Sequence, residues 1–176
     1  MKRNISAGFS NYLVFLLMAV MGSVLIGCAG YQLGNTLPKN IKTVYVPTFI
    51  NKTGEPMVET EATKAAIQEL QMDGSLEVVG EDLANSILEV TLVKIDFQPL
   101  SFQTGSRKTA KEYRLYLTAN VLFKKAKTNE ILARKQVSGE ATFLPAGDLA
   151  SAKRLALPTA SKDLAHRVVE AVVEYW

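Results

Sequence analysis

Cysteine and histidine are almost missing from this chain: Cys28 is its one thiol and His166 its one imidazole. A single cysteine closes no internal disulfide, and one residue of each kind cannot build the sets that hold zinc. The carboxylates that could replace them are scattered, and the adjacent Glu81 and Asp82 fall in a polar turn, where capping or solvation is their ordinary role. Gln103–Lys108 (QTGSRK) has one glycine and follows no β–α pattern, so it is no phosphate loop. Internal repeats and low-complexity stretches are lacking too. These gaps remove the common catalytic constellations. No enzyme, metal or cofactor is expected.

A membrane-length apolar run is also lacking. The longest uncharged apolar stretch is Tyr12–Ile26, short of the roughly 20 residues a helical span needs. It follows Met1-Lys2-Arg3 and ends in Leu25-Ile26-Gly27-Cys28. A basic start, a short apolar segment and small residues before a cysteine describe a bacterial lipoprotein signal peptide over residues 1–27. The sulfur of Cys28 is then expected to take a diacylglycerol group, and the new N-terminus an acyl chain such as palmitate. Two or more chains hold a protein firmly where one holds it marginally. Ala29, rather than Asp, follows Cys28, which suits export to the outer membrane on its periplasmic side. A lipidated thiol is no nucleophile, so Cys–His catalysis goes with it.

Net charge is the third thing the sequence has little of. Lysine and arginine number 20 against 17 acidic residues, and without Lys2 and Arg3 the balance of residues 28–176 is +1. A near-neutral domain gives no general case for nucleic-acid binding.

What is present is strand and helix periodicity. Residues 28–40, with their Gly, Pro and Asn, read as a lipidated tether, and 41–176 as a single domain. Ile41–Phe49 is β-branched and aromatic and reads as a strand, with Pro47 marking an edge or a bulge. Ile50–Pro56 reads as a loop; its Asn51-Lys52-Thr53 matches a glycosylation sequon, a reading that does not suit a bacterial lipoprotein. Over Met57–Met72, Ala62, Ala66, Ile67 and Leu70 share one side of a helix with Pro56 in its first turn, and Asp73-Gly74 ends it. Ser75–Gly80 is a short strand. Three longer alternating segments follow, at Ser86–Pro99, Glu112–Lys125 and Glu130–Phe143, with a hairpin turn at Lys124–Asn129. From Asp148 to Trp176 the spacing is helical again, with Leu157, Leu164, Val168, Ala171, Val172 and Tyr175 on one stripe. His166 lies off that stripe, and Pro158 predicts a kink or a fresh helix start. The order is strand, helix, three or four strands, helix, so the expected class is α+β, with helices covering one face of a mostly antiparallel sheet.

Local positive charge is the candidate functional feature. Arg107, Lys108 and Lys111 fall in one strand connection, Lys124, Lys125 and Lys127 at the next turn, and Arg134-Lys135 on the last strand. Such charges keep sheet edges soluble, and they could also pair with the phosphates of an anionic lipid.

Taken in order, these stretches resemble a known family. A lipobox cysteine followed by GYQLG and LP, then IKTVYVPTFINKTGEP, DGSLEVV, ANSILEVTLVKIDFQPLSF, EYRLYLTANVLF and DLAHRVVEAVVEYW, resembles the LPS-assembly lipoproteins of the LptE family across residues 28–176. One departure is Ala29, which separates Cys28 from the Gly-Tyr pair. The resemblance implies two helices packed on one face of a mostly antiparallel four-stranded sheet, in a non-enzymatic outer-membrane lipoprotein that plugs and assists assembly of the LptD β-barrel and binds lipopolysaccharide. Its ligand contacts carried onto this chain are Arg107 and Lys108, with Arg134 or Lys135. The other reading is a lipoprotein activator of a cell-wall synthase, which VYVPTFINKT loosely resembles; a periplasmic hydrolase would need a pocket the sequence does not reveal.

Overall fold

The first surprise is the sheet. The expected four-stranded, mostly antiparallel sheet is instead six-stranded and mixed, although the α+β class stands. The computed structural model describes residues 37–38, 40–102, 110–145 and 148–173. Cys28, the leader and most of the tether lie outside the described residues, as do Arg107, Lys108 and Tyr175.

Strand β1 (Thr43–Tyr45) and strand β2 (Ile50–Asn51) are two pieces of the one predicted strand and its following loop. Both pair in parallel with the same edge of β4 (Ser86–Phe102). Val44 lies opposite Ser86 and Ile50 opposite Thr91, so the β1–β2 side carries one more residue than its partner. Pro47 sits in that gap. A residue without an amide proton suits a break in the ladder.

Helix α1 (Val58–Asp73) begins one residue later than Pro56 predicts, after Met57 in a left-handed conformation. It ends as expected on Gly74, at φ 72°, whose N–H donates to the Leu70 carbonyl. It leads to β3 (Glu77–Val78), parallel to β1. A strand–helix–strand crossover makes neighbouring strands parallel, which the expectation of a mostly antiparallel sheet did not include. The link 79–85, with a 3₁₀ turn at Glu81–Leu83, then crosses to the other side of β1 at Thr43. There Thr43 Oγ1 donates to the Leu83 carbonyl (3.2 Å) and accepts from the Asn85 amide (2.8 Å).

β4, β5 (Ala110–Lys125) and β6 (Ile131–Phe143) form the expected antiparallel part, giving the order β3-β1-β4-β5-β6. Leu88, Val90 and Leu92 on β4, and Leu115 to Phe123 at odd positions on β5, are buried beneath the helices. A register shift between Leu92 and Lys94 moves the apolar parity of β4 from even to odd. Ile95 and Phe97 therefore continue the same face.

The last helix, α2 (Leu149–Val173), runs unbroken through Pro158, so the proline neither starts a new helix nor ends the old one. Both Pro158 and Arg154, whose carbonyl a proline ring would crowd, lie on the solvent side. Carbonyls on that side tilt outward to water. α2 covers β5 and β6, α1 covers the β1–β3 side, and the two helices pack on each other over one core. Ala152, Ala156 and Ala160 give α2 a small-residue face. Gly139 meets it: a Cβ there would lie 2.3 Å from the Leu164 nitrogen and 2.4 Å from the Ala160 carbonyl oxygen. No helix among the described residues is long and apolar enough to cross a membrane.

Candidate functional site

Strand alternation decides where the candidate basic residues stand. Arg134 and Lys135 are neighbours in sequence, so the two-residue period of β6 sends them to opposite faces. Arg134 shares the uncovered face, opposite Leu122 of β5. Lys135 lies on the helix side, in a groove with Val137, Arg167 and Glu170. Leu122 is twelve residues along β5 from Ala110, about 40 Å at ~3.4 Å per residue. Ala110 pairs with Phe102 where the connection carrying Arg107 and Lys108 leaves the sheet. The two basic pairs are therefore attached to opposite ends of the sheet. The second turn's lysines are engaged: Lys124 pairs with Glu89 and Lys125 with Glu130, each at 2.7 Å.

The uncovered face of β4–β6 is polar and bonded to itself. Gln136 Nε2 donates to Asn120 Oδ1 (2.9 Å), the Thr118 and Ser138 hydroxyls share a bond (3.3 Å), and Arg114 pairs with Glu140 (3.3 Å). Lys94 pairs with Asp96 (3.0 Å) and holds that carboxyl below the usual range. Hydrogen bonding to Tyr116, then the charge of Glu140, pushes the Arg114 guanidinium up. Apart from Lys94–Asp96, which lies within β4, these are cross-strand pairs, and they leave the Arg114 Nε without a partner among the described residues.

The end of the sheet near Phe102 is different. Phe143 of β6 stacks on Tyr113 of β5 (5.8 Å) and meets Phe97 of β4 edge-on (6.2 Å, 89°). Lys153 of α2 lies 5.2 Å over the Phe97 ring and pairs with Glu55. Around this cluster Leu100, Phe102, Leu144 and Leu149 are 42 to 60% exposed. Sequence reasoning missed the cluster, although Phe97, Tyr113 and Phe143 all fall on the buried parity of their strands.

Other candidates resolve into structure. Asn51 of the sequon spends its whole amide on the loop: Nδ2 donates to the Glu55 carbonyl and to Glu59 Oε2, and Oδ1 accepts from the Thr53 amide and hydroxyl, at 2.7 to 2.9 Å. His166 is exposed, as expected, but Nδ1 lies 2.9 Å from Glu69 Oε1 of α1, and that bond raises its pKa. No group of three or more His, Cys, Asp or Glu among the described residues could hold a metal ion.

The order and spacing of these elements is that of a known family. The family model "LptE: Lipopolysaccharide-assembly" matches residues 41–172. The chain belongs to the LptE family. That places this LptE-family protein among the components of lipopolysaccharide assembly. No curated protein matches it in sequence. Solved structures share its fold. An uncharacterized lipoprotein B from Nitrosomonas europaea has TM-score 0.51 and 17% identity, with 83% of this chain and 92% of that one covered. A minor lipoprotein from Acinetobacter baumannii has TM-score 0.51 and 10% identity, covering 77% and 94%. PelC from Paraburkholderia phytofirmans, solved as a dodecamer, has TM-score 0.50 and 12% identity, covering 81% and 97%. At such identities the likeness is one of fold.

Proposed function

We propose that this LptE-family chain is a lipid-anchored outer-membrane lipoprotein on the periplasmic side, that it plugs an LptD-like β-barrel and assists its assembly, and that it binds lipopolysaccharide without catalysing a reaction. The observation that carries the reading is the family match over residues 41–172. Cys28 is the attachment point, through diacylglycerol and an acyl chain such as palmitate, and the leader ends at Gly27.

The surfaces support the plug. A face whose polar side chains bond to each other tolerates the wet wall of a barrel lumen, since water can bridge what the pairs leave open. A short tether raises the concentration of the domain near a partner in the same membrane. For the ligand, Arg107 and Lys108 are offered as phosphate contacts. The apolar rim of Leu100, Phe102, Leu144 and Leu149 beside their connection suits an amphiphile with an anionic headgroup. Arg134 and Lys135 remain proposed contacts, at the opposite end of the sheet from that rim.

The second reading, an activator of a cell-wall synthase, rests on the fold, which PelC from Paraburkholderia phytofirmans shares. A mild-detergent pull-down of the full chain from outer membranes distinguishes them. A large β-barrel co-purifying with it is the expected result; a peptidoglycan synthase in its place overturns the proposal. For the ligand, Arg107→Glu with Lys108→Glu is expected to weaken lipopolysaccharide binding in a folded domain, and unchanged binding removes those two residues from the site.

A further inference from the structure

The sheet has one long free edge. β6 pairs with β5 on one side and with no described strand on the other. From Ala133 to Phe143 its register with β5 is uninterrupted, so backbone groups alternate strictly between β5 and the open side. Two bonds fix the phase. The Glu140 amide donates away from β5, to Asp163 Oδ2 of α2 (2.9 Å). The Ser138 hydroxyl reaches the Leu117 carbonyl, which faces β6 opposite Gly139 (3.4 Å). Odd residues therefore bond β5, and Arg134, Gln136 and Ser138 direct their amides and carbonyls off the edge.

α2 protects only part of this edge. It is tightest at Gly139, and Asp163 caps Glu140. Beyond that contact a groove of about 450 Å³ opens between α2 and β6, lined by Lys135, Val137, Ser138, Arg167, Glu170 and Ala171. Arg167 pairs with Glu170 at 3.7 Å. Neither Arg134 nor Lys135 takes part in an ion pair among the described residues, which leaves the groove and its rim positive. An edge strand lying beside a helix, with backbone groups turned away from its neighbour, is the geometry in which a peptide adds as an extra strand. Charge on an edge also discourages unwanted pairing, and here the edge from Arg134 to Ser138 carries only basic charged side chains, Arg134 and Lys135. It repels a basic strand and attracts an acidic one.

We propose that the β6 edge from Arg134 to Ser138, with the groove beside it, is a strand-addition site for an extended acidic segment of a partner protein. Main-chain bonds to Arg134, Gln136 and Ser138 supply the register, and acidic side chains on the helix side meet Lys135 and Arg167. This inference does not rest on lipopolysaccharide binding or on the barrel, although it shares Arg134 and Lys135 with the proposed lipopolysaccharide contacts.

The test is residue-resolved amide exchange on the full chain in detergent, with a capped hexapeptide alternating glutamate with threonine and valine. Exchange at Arg134, Gln136 and Ser138 is expected to slow about tenfold or more, while Glu140, already bonded, changes less than about twofold. The same peptide with lysine in place of glutamate is expected to give no protection. Lys135→Glu with Arg167→Glu is expected to abolish the effect; if that pair misfolds, the exposed single change Lys135→Glu serves. Unchanged exchange at the three amides overturns the proposal. So does protection that is present without peptide and grows with protein concentration alongside a dimer in sedimentation, which assigns the edge to a second copy of this chain.

Discussion

Gly139→Ala tests the packing of the whole helical layer with one methyl group. The added Cβ would lie 2.3 Å from the Leu164 nitrogen, 2.4 Å from the Ala160 oxygen and 2.6 Å from the Leu164 Cα. All three are backbone atoms of α2, so no rotamer change can clear them. A carbon needs roughly 3.5 Å from such atoms, which means separating β6 and α2 by about 1 Å. The neighbours pulled apart are Ala160, Leu164 and Val168, each with no exposure at all. Overpacking of a well-filled core costs ~1–3 kcal/mol, occasionally more, and a backbone-to-backbone clash belongs at the top of that range. At ~2–4 °C per kcal/mol for a domain of this size, the midpoint of thermal unfolding should fall by about 6–12 °C. Denaturant titration should show a lower midpoint at unchanged slope. Gly80→Ala is the control, since nothing lies within 4 Å of a Cβ there, and surface changes of that kind stay within about 0.5 kcal/mol. If Gly139→Ala is as mild as Gly80→Ala, the close approach of α2 to β6 is wrong.

Three further changes probe other joints of the fold. Thr63 is buried; its Oγ1 accepts from the Phe49 amide (2.9 Å) and donates to the Glu59 carbonyl (2.6 Å), so Thr63→Val strands a buried N–H and should cost ~1–3 kcal/mol in denaturant unfolding. Lys153→Met removes the pair with Glu55 and the cation over Phe97 while keeping the stem, and should cost about 0.5–1 kcal/mol, less at high salt. His166 has a raised pKa in the fold, from its bond to Glu69 first and the charges of Glu69 and Glu170 after. The contribution of that pair is fully present below the ordinary imidazole value of about 6.5 and is lost as pH rises through the raised one. With the imidazole 64% exposed, the loss between pH 6 and pH 8 should be only a few tenths of a kcal/mol. His166→Gln should flatten that slope, and a steeper fall in the variant would refute the sign.

The long elements were legible because each satisfies its own periodicity. β5 alternates without a break from Tyr113 to Phe123, and α1 carries its own stop at Gly74. What failed to show was pairing between segments distant in sequence. Ile41–Phe49 reads as one strand with Pro47 marking an edge or a bulge, and it is the pairing with β4 that splits it in two with one extra residue around Pro47. The direction of β1 and β3 depends on a crossover through α1, which no local pattern encodes. The register shift after Leu92 was visible in principle, since the apolar residues of β4 change from even to odd positions there. Pro158 misleads for a different reason: the rule that prolines end helices weakens where both the ring and the carbonyl it crowds face water.

The candidate site shows the same division between local and long-range information. That Arg134 and Lys135 point to opposite faces follows from β6 being a strand, and the sequence alone implies it. That Arg134 stands about 40 Å along the sheet from Ala110, where the connection carrying Arg107 and Lys108 joins β5, follows only from the lengths and register of β4, β5 and β6. The separation matters for function, because a ligand held beside the Phe102–Ala110 pair and one held beside Arg134 lie at opposite ends of the sheet. A ligand held at the Arg107–Lys108 end should therefore be indifferent to charge reversal at Arg134, whereas a ligand that traverses the sheet should feel both changes in sequence. Comparing equilibrium lipopolysaccharide binding with transfer past the domain, in single and combined variants, separates these cases: additive losses in transfer with no loss in binding for Arg134→Glu mean two stations, and equal losses in both mean that one site spans them and that the sheet does not hold them apart.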